Sequence, residues 1–242
     1  MTQPTRIALV TGASRGLGLV IARVLATRGY KLVVGGRDGD ALAAAAEGLS
    51  RHAPAVVPVA GDITDAAVRA SFIDGARQLG GLDVLVNNAS DRGPFGPLLA
   101  FDVPRFARLF PVNVGAPLVL TQQAVPMLAR RRGLVVNITS DAATAAYPGF
   151  GPYGATRAAM ELLTRTLAPE LRDLGVSAVL VDPGDMRTRI GREAFSGGDI
   201  PDRPTPEVTA PFWHWLFAQA PEAVHGQRFD AQQEDAPWLQ RA

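Results

Sequence analysis

Six short runs along the chain are almost wholly apolar. They read RIALVTG (6–12), KLVVGG (31–36), AVVPVAGD (55–62), LDVLVNNAS (82–90), GLVVNITS (133–140) and VSAVLVDPG (176–184). Each is continuous and rich in Val, Ile and Leu rather than alternating, the pattern of strands buried on both faces of a sheet. Between them the polar and apolar positions take helical spacing, over 16–29, 39–51, 65–79, 103–131 and 153–174. Alternation of this kind predicts an α/β fold: a doubly wound parallel sheet with right-handed crossovers and helices on both faces. The runs end in Gly, Asn, Asp or Ser. Open parallel sheets bind ligands beyond the carboxyl ends of their strands. Asn87–Asn88, Thr139–Ser140 and Asp182–Gly184 are therefore expected to converge on one site.

The alternation weakens after residue 184, where GDMRTRIGREAFSGGDIPDRPTPEV is polar and rich in Gly and Pro. It reads as a loop or lid over about 185–205. A helix is expected at 206–219 and a last strand near 227–230. With no linker or internal repeat, residues 1–242 read as a single Rossmann-fold domain.

Composition narrows the function classes. Hydrophobic residues make up 47% of the chain and the formal net charge is +1, which argues against nucleic acid as a partner. No cysteine is present, so disulfides, thiolate metal sites and thiol catalysis are excluded. His52, His214 and His225 lack partners at ligand spacing, and no metal site is expected. The N-terminus lacks a signal-peptide pattern, and no apolar stretch reaches about 18 residues. A cytoplasmic protein with no membrane partner is the expectation. The RRR at 130–132 reads as a solvated helix end.

The segment TGASRGLG (11–18) joins the first strand to the first helix, with Gly12, Gly16 and Gly18 in a G-x-x-x-G-x-G pattern. Glycines there permit a tight turn and close approach of backbone to a pyrophosphate, and the helix N-terminus offers free N–H groups. The spacing differs from G-x-G-x-x-G, and alone it also fits a bare strand-to-helix turn. Arg15 lies inside the loop, and Arg37 follows the second strand, near the position of the acidic residue that binds a ribose 2′-hydroxyl. Two guanidinium groups suit a 2′-phosphate, which favours NADP(H) over NAD(H). Asp38 could instead hold ribose hydroxyls if Arg37 points away. Asp62 and Ile63, at the end of the third run, are expected to flank an adenine.

In order along residues 6 to about 190, these motifs resemble the classical short-chain dehydrogenase/reductase family. TGASRGLG is similar to its cofactor loop, with Ser14 and Leu17 beside the glycines. NNAS (87–90) resembles its N-N-A-G segment, with Asn88 and Ala89 in place and Ser90 where glycine is usual. VNVGAP places Asn113 at the family's catalytic asparagine. NITS places Ser140 thirteen residues before Tyr153, as the catalytic serine and tyrosine are placed. DPGDMRT (182–188) resembles the segment that closes over nicotinamide, bringing Pro183, Gly184, Met186 and Thr188 to the cofactor. The resemblance implies a Rossmann-fold oxidoreductase, a small carbonyl or alcohol substrate, and a homodimer or homotetramer.

One position departs from it. The family motif Y-x-x-x-K is here Tyr153-Gly-Ala-Thr-Arg157. The resemblance makes Tyr153 the acid in carbonyl reduction, with Ser140 hydrogen-bonded to the substrate oxygen. A free phenol titrates near about 10, and a nearby cation favours its phenolate. The family lysine binds ribose hydroxyls, supplies charge and joins a proton relay. Arg157 can serve the first two roles, but a guanidinium does not release a proton in a protein. The expectation is NADP binding with reduced or altered turnover. Two alternatives stay open: a cofactor-binding protein without dehydrogenase activity, and a redirected lyase or cyclase.

Three further segments carry open readings. PFWHWLF (211–217) supplies core or subunit-contact aromatics, or a pocket wall; Trp238 and Leu239 could pack on a neighbouring subunit. DRGPFGPLLAF (91–101), with Phe95, is expected to border the substrate or merely turn the chain. Arg187, Arg189 and Arg192 read as solvated loop residues or as a clamp for an anionic substrate group.

Overall fold

The computed structural model describes residues 5–93, 95–188 and 202–239. Seven strands form one sheet in the order β3-β2-β1-β4-β5-β6-β7. They are β1 (Ile7–Val10), β2 (Lys31–Gly36), β3 (Val56–Ala60), β4 (Val84–Asn87), β5 (Leu134–Ile138), β6 (Ser177–Asp182) and β7 (Arg228–Asp230). Every neighbouring pair is parallel. The helices are α1 (Gly16–Thr27), α2 (Gly39–Ser50), α3 (Ala66–Leu79), α4 (Val103–Ala107), α5 (Ala116–Arg131), α6 (Gly151–Arg172), α7 (Ala210–Leu216) and α8 (Pro221–Val224).

The continuous apolar runs have a direct cause. In β1, Ala8 and Val10 pack with residues of α1, α2 and α7. Ile7 and Leu9 pack on the other face with residues of α3, α5 and α6. Successive side chains on a strand point to opposite faces, so a strand covered on both sides has no polar face to show. At the sheet edge, β3 accommodates Pro58 because an edge strand can spare an amide. Strand order reverses between β1 and β4, and such a reversal opens a crevice at the carboxyl ends of the strands.

Three segments differ from the pattern reading. The stretch 103–131 is not one helix: α4 ends at Ala107 and a π-helical turn, Pro111–Gly115, precedes α5. Pro111 and Pro117 remove amide donors that an unbroken helix would use. The stretch 206–219 divides into a 3-10 turn, Pro206–Thr209, and α7. Arg131 is not simply solvated; its Nη2 donates to the Gly80 carbonyl at 2.7 Å.

The C-terminal aromatics belong to this chain's own core. Trp213 is fully buried, and its indole N–H donates to Thr209 Oγ1 at 2.9 Å. Trp238 packs on Phe212 and Trp215 with ring centroids 4.9 and 5.0 Å apart. A neighbouring subunit is thus not what buries it, whereas Leu239 remains exposed. Among the described residues no helix is long and apolar enough to cross a membrane.

Candidate active site

The loop after β1 brings the glycine motif to the crevice. Gly12 and Gly16 have φ of 68° and 57°, a region that only glycine enters without strain. A Cβ at Gly18 would lie 2.2 Å from the Gly12 carbonyl oxygen, so the turn closes only because residue 18 has no side chain. No side chain caps α1, whose N-cap is Arg15. Its first amides therefore face the cavity with no side chain occupying them, as an anion-binding helix start requires. Asn88 locks the loop to β4, donating from Nδ2 to Thr11 O at 2.8 Å and Gly12 O at 3.1 Å. Thr11 Oγ1 in turn accepts the amides of Asn88 and Ala89, each at 3.0 Å.

At the outer end of the crevice stand Arg15, Arg37 and Asp38. Arg15 Nη2 donates to Asp38 Oδ2 at 2.7 Å, while Asp38 Oδ1 caps α2 by accepting the Ala41 amide at 3.1 Å. The cap and the Arg15 contact hold the Asp38 carboxyl below the usual carboxylate range. Asp62 turns back on Thr64, accepting its amide at 2.8 Å and its hydroxyl at 2.7 Å. Those bonds hold the Asp62 carboxyl low, and Ile63 beside it is buried.

At the inner end, α6 brings Tyr153 beside the residues that follow β5. A Cβ at Gly154 would lie 2.6 Å from the Ala142 carbonyl oxygen, so glycine is what lets the helix approach the turn carrying Ser140. Ser140 Oγ accepts the Ala142 amide at 3.2 Å and donates to Asp141 Oδ1 at 2.9 Å. Tyr147 donates its hydroxyl to the other Asp141 oxygen at 2.6 Å, which raises the Tyr147 phenol above its ordinary value.

Arg157 is 4% exposed and lies with its guanidinium carbon 4.8 Å from the Tyr153 ring centroid. Its Nη1 donates to the Ile138 carbonyl at 3.0 Å and its Nη2 to Ser90 Oγ. Asn113 sits in the π-helical turn, fully buried. Its amide is spent on structure: Oδ1 accepts the Asp91 amide at 2.8 Å, and Nδ2 donates to Asp91 O at 2.6 Å and Thr156 Oγ1 at 3.0 Å. Ser90 Oγ also donates to Asn113 Oδ1 at 3.3 Å.

One cavity of about 910 Å³ joins both ends. The residues anticipated for catalysis and cofactor binding line it except Asn113, which lies behind the wall; Asn87, also expected at the site, instead turns into the core to Thr121 and Asn137. Val112, Tyr147, Phe150, Arg92 and Asp141 complete the inner wall, and the resemblance alone did not point to them. The aromatics of 211–217 do not line it. Neither Phe95 nor Arg187 does; Phe95 instead packs on Phe150 with centroids 5.0 Å apart. Arg189 and Arg192, with most of the anticipated lid, lie outside the described residues.

The segment after β6 is held from the C-terminal side. Gln232 Nε2 donates to the Pro183 carbonyl at 2.8 Å and the Asp185 carbonyl at 3.0 Å. Beneath it runs a buried ionic network. Arg228 donates from Nε to Glu161 Oε1 at 2.9 Å and from Nη2 to Asp182 Oδ2 at 3.0 Å. Glu161 also accepts Thr139 Oγ1 at 2.9 Å and Arg165 Nη2 at 2.7 Å. Burial pushes the Asp182 carboxyl up, against the opposing pull of the Gly184 amide and Arg228.

A profile of the family described as short chain dehydrogenase matches residues 6–198. The chain belongs to the short-chain dehydrogenase/reductase family, whose members are oxidoreductases that bind NAD(P). Gluconate 5-dehydrogenase of Gluconobacter oxydans strain 621H is 32% identical over 225 residues, spanning 91% of this chain and 82% of that protein. The 1-deoxy-11-beta-hydroxypentalenate dehydrogenase of Streptomyces exfoliatus is 35% identical over 189 residues, spanning 76% of this chain and 68% of that protein. Among solved structures, an alcohol dehydrogenase from the archaeon Thermococcus sibiricus, complexed with 5-hydroxy-NADP, superposes with a TM-score of 0.84. It is 27% identical, and the match covers 96% of this chain and all of that one.

Proposed function

We propose that the protein is an NADP(H)-dependent oxidoreductase that interconverts a ketone or aldehyde and its alcohol, working chiefly as a reductase. The observation that carries this reading is the single cavity, with the glycine loop and two arginines at one end and Ser140, Tyr153 and Arg157 at the other. The uncapped start of α1 and the space kept by Gly18 fit a pyrophosphate. Arg15 and Arg37 fit a 2′-phosphate. Asp38 is engaged at both carboxylate oxygens, one of them by Arg15, so a cation already stands beside the acceptor an NAD-specific site would use.

Bound nicotinamide supplies the hydride; the chain supplies everything else. Tyr153 gives its hydroxyl proton to the substrate oxygen as negative charge develops there. Ser140 donates a hydrogen bond to the same oxygen, and to do so turns its proton away from Asp141. Arg157 sets a fixed positive charge against the Tyr153 ring. It stays protonated throughout, so the proton returning to Tyr153 comes by another route. Asn113 holds the 90–91 segment and α6 together rather than touching substrate.

A second reading, a cofactor-binding protein with little turnover, draws on the same Arg157, which is fixed by Ile138 and Ser90 and has no proton to give. One experiment separates the two. NADPH oxidation is followed over a carbonyl panel for the wild type and Tyr153→Phe, with thermal shift against NADPH and NADH. Turnover that Tyr153→Phe abolishes while NADPH still binds supports the reductase. Binding without turnover in the wild type supports the second reading. Product formed without net NADPH consumption points to a lyase or cyclase.

A further inference from the structure

We infer that Ser90 is the positioning residue for Arg157, and that the two form a matched pair, replaceable only together. The inference rests on the reductase reading for what the arginine does, and on geometry alone for how it is held.

Arg157 is a buried cation for which no carboxylate partner is found among the described ion pairs. Its Nε has no hydrogen-bond partner. Only two neutral acceptors hold the charged group, the Ile138 carbonyl and the Ser90 hydroxyl, with the face of Tyr153 beside it. A buried donor left without an acceptor carries its full desolvation cost. The Ser90 hydroxyl therefore matters more than an exposed hydrogen bond would. Its single proton goes to Asn113 Oδ1, so its lone pairs face the arginine. Asn113 in turn is fixed by Asp91 and Thr156, and Thr156 Oγ1 donates to the Tyr153 carbonyl at 2.7 Å. Ser90 thus lies within one hydrogen-bonded frame with the helix turn that carries Tyr153.

The shape of the cation explains the pairing. A guanidinium spreads donors across a planar fork, so one end reaches Ile138 while the other reaches Ser90. A lysine at 157 has one nitrogen for both acceptors. A glycine at 90 leaves Nη2 facing nothing. Ser90 and Arg157 are the two positions that depart from the family motifs, and they touch each other. Each departure supplies what the other lacks.

The test is a double-mutant cycle with Ser90→Gly and Arg157→Lys, read by the NADPH dissociation constant from nicotinamide fluorescence and by kcat and KM. Each single change is expected to weaken NADPH about fivefold or more, and the double variant to return within about twofold of the wild type. Ser90→Ala is expected to lower kcat about tenfold with KM for the carbonyl little changed, and Ser90→Thr, which keeps the hydroxyl, to retain most of the rate. Single effects that simply multiply, or a Ser90→Ala enzyme with wild-type kcat, overturn the pairing. If Arg157→Lys does not fold by itself, a folded, NADPH-binding double variant supports the pair, and a double variant that also fails overturns it. Absent turnover with an intact coupling in NADPH affinity sinks the reductase reading and leaves the pair standing.

Discussion

Arg15 and Asp38 meet at 2.7 Å across the mouth of the crevice, and the second Asp38 oxygen caps α2. Both side chains are about half exposed, so the pair itself adds little stability. Its effect is on charge: Asp38 is tied to Arg15, whereas Arg37 makes no ion pair among those found in the described residues and feels only a longer-range attraction to Asp62. Arg37→Ala should raise KM for NADPH by about 10- to 100-fold, the loss of one charge-assisted hydrogen bond of about 1.5–3 kcal/mol. KM for NADH should stay within about twofold. Equal weakening of both cofactors would refute the preference for NADP.

Asp38→Asn tests the same corner from the other side. Asparagine caps helices as well as aspartate does, so α2 should keep its start. The negative charge near an expected 2′-phosphate goes, and Arg15 is released to reach it. NADPH should bind about two- to fivefold tighter at low salt, with NADH unchanged, and the gain should shrink as ionic strength rises. Isothermal titration at two salt concentrations decides it.

Gly154 sets how closely α6 approaches the Ser140 turn, because any Cβ there meets the Ala142 carbonyl oxygen. Gly154→Ala should push Tyr153 away from Ser140 while leaving the glycine loop untouched. A displacement near 1 Å costs about 100-fold when it separates reacting groups. The expected result is kcat down by about 10- to 100-fold with NADPH affinity within about threefold. A loss confined to NADPH affinity would place the helix contact outside the chemistry.

These contrasts mark what the sequence made legible. β1, β2, β4, β5 and β6 are visible because burial on both faces removes polar alternation, and the half-exposed edge strand β3 shows through its valines alone; the loop glycines and Tyr153 follow from their order along the chain. The break in 103–131 was hidden because its prolines sit within an otherwise helical pattern, and only tertiary packing decides whether such a helix bends or stops. The Ser90–Arg157 contact joins residues 67 apart in sequence, and so does Arg228–Glu161. No local pattern encodes a contact of that separation. Ser90 looked like a blemish in a motif, and only its partner gives it a use. Trp238 looked available to another subunit because a tail residue carries no sign of which surface it folds back upon.

Gln232 offers a measure of that tail. Its side-chain amide holds the carbonyls of Pro183 and Asp185, the segment expected to lie over the nicotinamide. Gln232→Ala removes two neutral hydrogen bonds, each worth about 1 kcal/mol. KM for NADPH should rise about three- to tenfold, while kcat at saturating cofactor stays near the wild-type value. Gln232→Glu, which accepts but cannot donate when ionised, should be no better than alanine. A glutamate variant with wild-type KM would show that the contact does not support the loop.

Arg228 bridges the buried carboxylates Glu161 and Asp182, and its removal should be felt as a pH-dependent loss of stability. In Arg228→Met, Glu161 keeps Arg165, but Asp182 keeps only the Gly184 amide. Burial already raises the Asp182 carboxyl, and Arg228 is one of the influences that lowers it. Without the arginine it rises further. A carboxyl raised above its unfolded value gains a proton more readily in the folded state. Its contribution is fully present below the unfolded value and is lost as pH climbs through the folded one. The variant should therefore be weakest near neutral pH, by about 3 kcal/mol, the low end for breaking a buried pair because the Arg228 side chain is 29% exposed. As pH falls toward about 4–5 the deficit should narrow, since Asp182 can then be buried uncharged. Urea unfolding of both proteins at about pH 7 and about pH 5 measures it. A deficit that is the same at both values would mean that lost packing of the arginine stem, not an uncompensated carboxylate, is what the variant reports.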